Sequence, residues 1–190
     1  MRVPRPFVAG LVTAGAVFVV APSTAGADER VCRGTIGATT VDDLRVPASA
    51  TCTLNRTQVR GNIVVERGAR LNATTVRVGG NVQAEGAAAV IVGALSRVDG
   101  DVQVKQGGGA RVTQTRVDGD IQYDENRLEV RADDNTVGGN IQVMKNRGGA
   151  AISNNRVDGN LQCKENSPAP RGSGNQVRGN MEDQCRRLVK

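Results

Sequence analysis

The sequence contains no histidine and no tryptophan, and its only aromatic residues are Phe7, Phe18 and Tyr123. Both phenylalanines fall in the first twenty residues, so the remainder of the chain has a single ring. Without histidine there is no Ser-His or Cys-His pair for nucleophilic catalysis and no imidazole for a metal. A core built on large rings is excluded too. Small β-branched residues must fill the interior, which suits a thin, repetitive architecture.

Long apolar runs are equally scarce, with one exception. Arg2 and Arg5 give a basic start, Phe7 to Val20 is apolar, and Ala25-Gly26-Ala27 fits a signal-peptidase site. Residues 1–27 therefore read as a signal peptide. The rival, an uncleaved anchor, meets an apolar run shorter than the ~18 residues a span needs. No cysteine stands at the cleavage point to accept a lipid, and no second apolar run follows. The expected product is secreted, extracellular or cell-surface associated, with no transmembrane segment. Its charge is modest: without Arg2 and Arg5, 23 basic residues face 19 acidic ones, a net +4. That balance does not call for nucleic acid as a partner. Only Arg186, Arg187 and Lys190 make a basic cluster, which reads as a solvated tail or as a loose hold on anionic envelope polymers.

What the chain does have is a repeat. RVDGDIQ (116–122) recurs with small changes as QVRGNIV, RVGGNVQ, RVDGDVQ, TVGGNIQ, RVDGNLQ and QVRGNME, placing glycines at 61, 80, 100, 119, 139, 159 and 179. Seven copies at spacings of 19 or 20 define one structural unit. Residues after each glycine alternate apolar and polar, as in Ile141-Gln142-Val143, and read as a short strand. A second alternating pair follows in mid-repeat: Leu71/Ala73, Val90/Val92, Ala110/Val112, Leu128/Val130 and Ala150/Ile152. A chain returning to the same place every 20 residues stacks its strands in parallel about 4.8 Å apart. The fold class is all-β, a single-stranded parallel β-helix of seven to eight turns. The absence of an 18-residue, six-residue-beat pattern points to the right-handed form.

Each repeat position then becomes a row along the rod. Val59, Val78, Val98, Val117, Val137, Val157 and Val177 stack inside, as do Ile63, Val82, Val102, Ile121, Ile141, Leu161 and Met181. Glycine is expected to supply a bend with positive φ. Beside it runs a structural ladder of Asn62, Asn81, Asp101, Asp120, Asn140, Asn160 and Asn180, in which stacked side chains fix the register. Asn126, Asn146 and Asn166 form a second ladder, and Asn135, Asn155 and Asn175 a third.

The four cysteines sit at the two ends. Cys32 and Cys52 are 20 residues apart and Cys163 and Cys185 are 22 apart, about one turn each, within reach of a disulfide. The other two pairings would join opposite ends of the rod. Zinc is the rival reading, without a CxxC pair or a histidine to support it. The chain divides into the signal peptide 1–27, an N-terminal cap and first turn 28–57, the repeats 58–182 and a C-terminal cap 183–190.

The period, the asparagine ladders and the Val-x-Gly-Asn turns resemble the pectin-lyase-like, right-handed parallel β-helix group. More narrowly, GNLQCKENSPAPRGSGNQVRGNMEDQC (159–185) resembles the C-terminal end of a set of uncharacterised secreted proteins from high-GC Gram-positive bacteria. The similarity extends over residues 30–190, and 21 arginines against 4 lysines fit such a source. The resemblance implies a fold and export, and carries no assigned activity.

Because the larger proteins of that group include polysaccharide lyases and hydrolases, the acidic residues need weighing. Asp99, Asp101, Asp118 and Asp120 form two acidic pairs in adjacent turns, the weak candidates for a Ca²⁺ site or an acid–base pair. Asparagine fills the ladder slots of Asp101 and Asp120 in other turns, and Arg97 and Arg116 stand two residues before Asp99 and Asp118. Those facts favour a structural role. Arg116 is the arginine to suspect as a lyase base, Tyr123 is the one ring available to a sugar, and the long loops that build a cleft are missing. Gln83, Gln103, Gln122, Gln142 and Gln162 make an outward amide row, a solvated ladder or a contact face for a regular polymer. The reading that results is a non-enzymatic scaffold or surface-interaction module without catalytic residues, metal or cofactor, with envelope glycans or polysaccharide as possible partners. The alternative is a small carbohydrate-binding or lyase-like protein using the Asp99–Asp120 face.

Overall fold

The computed structural model describes residues 29–188, so the signal-peptide segment lies outside the described residues. The chain winds into a parallel β-solenoid of about 20 residues per coil. Three parallel sheets run its length, of nine, seven and eight strands. The first extends from Glu29–Val31 to Met181–Asp183, the second from Thr35–Ile36 to Ala150–Ser153, and the third from Thr40–Val41 to Gln176–Val177. Seven coils are complete. In the eighth the second-sheet strand shrinks to one bridge, Ala151 to Arg171. Gln184–Arg187 then forms a 3-10 turn at the C-terminal end.

Register follows the repeat. Val102 pairs with Ile121 and Ile121 with Ile141 in the first sheet, and Val98 pairs with Val117 in the third. Ile63, Val82, Val102, Ile121, Ile141 and Leu161 are completely buried, as are Val98, Val117, Val137 and Val157. Full burial of each such side chain is worth about 1.5–3 kcal/mol, so these columns hold the coils together. Only the last members, Val177 and Met181, are half-buried, because no further coil covers them.

The mid-repeat column needs one correction. Leu71/Ala73, Val90/Val92, Ala110/Val112 and Ala150/Ile152 do face the core, but in the sixth coil Leu128 is 61% exposed and the inward pair is Val130/Ala132. Alternation alone pairs Leu128 with Val130. Register decides otherwise, since Ala110 pairs with Val130 and Val112 with Ala132.

The repeated glycine is also needed for a different reason than a positive φ. Positive φ occurs at the other two corners, and mostly at non-glycine residues: Arg56, Thr75, Leu95, Gln114, Asp134 and Asn154 at one, Gln106, Glu125, Lys145 and Glu165 at the other. At Gly80, Gly100 and Gly119 the constraint is space. A Cβ on any of them would come within 3.0 Å of Asn62 Oδ1, Asn81 Oδ1 or Asp101 Oδ1 respectively, one coil back. Glycine lets the ladder side chain of the preceding coil lie against the backbone.

Candidate functional site

The glycine corner shows what the acidic candidates do. Asn81 N–H donates to Asn62 Oδ1 at 2.9 Å, Asp101 N–H to Asn81 Oδ1 at 2.8 Å, Asp120 N–H to Asp101 Oδ1 at 2.8 Å and Asn140 N–H to Asp120 Oδ1 at 2.6 Å. The chain of bonds continues through Asn160 to the N–H of Asn180. It begins one coil before the expected start, at Asp43, whose Oδ1 accepts the N–H of Asn62 at 2.7 Å. From Asp43 to Asn160 each member accepts the next coil's N–H with its Oδ1, an atom that aspartate and asparagine both supply.

The two interior corners use asparagine differently. Asn146 Oδ1 accepts both the N–H and Nδ2 of Asn126, each at 3.0 Å, while Asn146 Nδ2 donates to the carbonyls of Tyr123 and Met144. Asn135, Asn155 and Asn175 repeat the arrangement, with Nδ2 donating to Val112, Ala132 and Ile152 carbonyls. Donor and acceptor are both engaged, and the side chains are buried. Aspartate cannot supply that donor. The direction of bonding is reversed relative to the glycine corner: here the later coil's oxygen accepts from the earlier coil's N–H.

Several members of these corners were not foreseen. Ser96 Oγ takes the place of the asparagine oxygen for Val76 N–H at 3.1 Å, and the Thr57 and Thr115 hydroxyls donate to nearby carbonyls. Gln184 closes the second ladder, its Oε1 accepting Asn166 N–H at 2.9 Å and its Nε2 donating to the Asn166 carbonyl at 3.0 Å. Residue type varies along these corners, so inspection for asparagine alone does not find them.

Asp99 and Asp118 are separate from the ladder aspartates and belong to an arginine strip on the third sheet. Arg97 Nε lies 2.6 Å from Asp99, its terminal nitrogen lies 2.6 Å from Asp118, and Arg116 Nε lies 2.8 Å from the other Asp118 oxygen. These carboxylates raise the Arg97 pKa, through the Asp99 hydrogen bond first and the Asp118 charge second. The strip's outward row is Gln58, Arg77, Arg97, Arg116, Thr136, Arg156 and Gln176, held in register by the parallel pairing. The four candidate aspartates thus serve two surfaces. Arg97 and Arg116 pair with Asp99 and Asp118, while backbone and amide donors meet Asp101 and Asp120. Among the described residues no group of three or more His, Cys, Asp or Glu side chains is placed to hold a metal ion.

The outward amide row is present on the first sheet, with Gln103, Gln122, Gln142 and Gln162 half-buried and in register. Gln142 Nε2 donates to Gln162 Oε1 at 3.2 Å, and Gln162 Nε2 to Glu182 at 3.0 Å. At its N-terminal end a shallow groove of about 570 Å³ lies among Val64, Gln83, Glu85, Gln103 and Lys105. Nearby, Glu66 accepts Ala48 N–H at 2.8 Å and pairs with Arg45 at 3.1 Å, contacts that lower its pKa in that order of importance. Tyr123 offers no surface to a sugar. It is buried in the core, its hydroxyl donating to the Arg131 carbonyl at 2.8 Å, and burial pushes its pKa up. Asp133, on the second sheet, accepts from Arg131 Nε at 3.0 Å with Oδ2, while its Oδ1 is buried without a partner.

Both cysteine pairs are bonded as the spacing implied, Cys32–Cys52 and Cys163–Cys185, with Cα separations of 5.5 and 5.1 Å. No family model matches the chain, no curated protein does, and no solved structure does. No helix among the described residues is long and apolar enough to cross a membrane.

Proposed function

We propose that the protein is an exported, non-enzymatic scaffold whose faces act as interaction surfaces in the cell envelope or extracellular space. The observation that carries this reading is the commitment of the acidic candidates. Asp101 and Asp120 each accept a backbone N–H of the next coil, and Asp99 and Asp118 are paired with arginines. Those groups serve the fold or the surface before they serve a substrate. Two disulfides agree with an oxidising location, and the basic-then-apolar start of the chain agrees with export. The 20-residue period and the resemblance of 159–185 support a right-handed, pectin-lyase-like coil of the kind found among secreted proteins of high-GC Gram-positive bacteria.

The test is a thermal melt of wild type and of the double variant Asp101→Asn/Asp120→Asn, each with calcium and with chelator, beside a cleavage assay on acidic polysaccharides. On the scaffold reading the variant is as stable as wild type or slightly more so, because asparagine keeps the acceptor and removes like-charge repulsion. A calcium site gives the reverse, since a metal bound only to the folded state adds stability with concentration. Polysaccharide cleavage lost with the mutation would establish the lyase-like alternative.

A further inference from the structure

On the third sheet, the residue in the outward row and the residue two positions later match one another coil by coil. Arginine goes with aspartate at Arg97/Asp99, Arg116/Asp118 and Arg156/Asp158. Glutamine goes with arginine at Gln58/Arg60 and Gln176/Arg178, and threonine with glycine at Thr136/Gly138. Thr40, at the start of the row, is followed by Asp42, and Arg77 is the one arginine of the row without an acid two positions later, its coil having Gly79 there.

The neighbouring acids do not make up the loss. Asp42 is engaged by Arg60 at 3.0 Å and Asp99 by Arg97 at 2.6 Å, and among the described residues Arg77 forms no ion pair. Arg77 and Gly79 are both exposed. A Cβ at Gly79 would collide with the Arg60 carbonyl of the preceding coil, and beside Arg77 lies a notch of about 270 Å³ lined by Arg60, Arg77, Arg97 and Asp99.

We propose that this notch binds an oxyanion, a carboxylate, sulfate or phosphate group carried on an anionic polymer, with Arg77 as its principal ligand. The proposal deepens the interaction-surface reading and rests on it. The surface itself shows the binding geometry. One and two coils on, Asp99 and Asp118 each place an oxygen against the guanidinium two residues earlier, at 2.6 and 2.8 Å. An external carboxylate in the notch can meet the Arg77 guanidinium in the same way, and a planar guanidinium presents a fork of donors suited to two oxygens at once. A polymer is favoured over a free ion by magnitude. One exposed ion pair contributes only about 0–1 kcal/mol, so useful affinity needs several contacts along the rod. The other coil with glycine at this position, at Gly138, lies three coils away, about 14 Å along the same strip between Arg116 and Arg156.

The experiment measures binding of the mature protein to heparin, to polygalacturonate and to inorganic phosphate by titration calorimetry at two salt concentrations. Arg77→Thr, which copies the acid-less coil at Thr136, is compared with Arg111→Thr, an equal charge change at an exposed arginine of the second sheet. The expected result is polymer binding that weakens with salt, a loss of about tenfold in Arg77→Thr, a change under about twofold in Arg111→Thr, and wild-type melting of both variants. Equal losses in the two variants overturn the site and leave the interaction-surface reading standing, because binding then follows net charge alone. Inorganic phosphate bound as tightly as the polymers overturns the polymer assignment. Absence of binding to all three probes overturns the proposal outright, whatever the calcium and cleavage tests return.

Discussion

Asp120 N–H donates to Asp101 Oδ1 at 2.8 Å, so two stacked aspartates meet through a backbone hydrogen bond. The same contact explains why glycine precedes each ladder residue.

Gly119→Ala is therefore expected to be severely destabilising, by several kcal/mol, since its Cβ would collide with Asp101 Oδ1 and the Gly100 carbonyl. Gly37→Ala meets nothing within 4 Å and should change stability by less than about 0.5 kcal/mol. Chemical denaturation of the two variants separates the crowding explanation from one based on backbone flexibility, which predicts similar losses.

The two kinds of ladder should respond oppositely to an exchange of asparagine and aspartate. Asp120→Asn keeps the only atom used and should be neutral. Asn146→Asp removes the Nδ2 donor and faces the new carboxylate toward the Tyr123 carbonyl and Asn166 Oδ1, at a cost of about 3 kcal/mol or more. Equal effects in urea melts would mean that Nδ2 carries no weight in the interior ladder.

Inside and outside are tested by neighbours. Ile121→Asp places a charge in the column between Val102 and Ile141 and should cost several kcal/mol, whereas Gln122→Asp on the outer face should cost under about 1 kcal/mol.

Removing the C-terminal bridge with Cys163→Ser/Cys185→Ser should lower stability by about 3 kcal/mol, the value for a loop of this length on the chain-entropy account. The loss should exceed that of Gln184→Ala, which breaks only the ladder closure. Non-reducing peptide mapping of the wild type must show no fragment joining residue 32 or 52 to residue 163 or 185.

Much of this architecture was legible because a solenoid repeats its rules. The columns at Val117 and Ile121, the three ladders and both disulfides follow from spacing alone, since any residue 20 positions away is a neighbour. Legibility failed where identity changes while geometry persists. Ser96 and Gln184 do an asparagine's work with different side chains, and Leu128 looks inward only until the pairing of Ala110 with Val130 is known. The glycine row was recognised for the wrong reason, because its constraint comes from the preceding coil and not from its own φ. Arg77 stood in plain view within RVGGNVQ. Its significance appears only when the third sheet lines it up with Arg97 and Arg116, which have partners.

The interior ladders also set how the molecule's length can change. Between Asn126 and Asn166 each coil presents to the next the chemistry it received from the one before. A tandem copy of residues 141–160 would thus find its donors and acceptors waiting on both sides, with the two bridged ends untouched. The rod lengthens in whole steps of about 4.8 Å, a ruler whose graduations are written in asparagine.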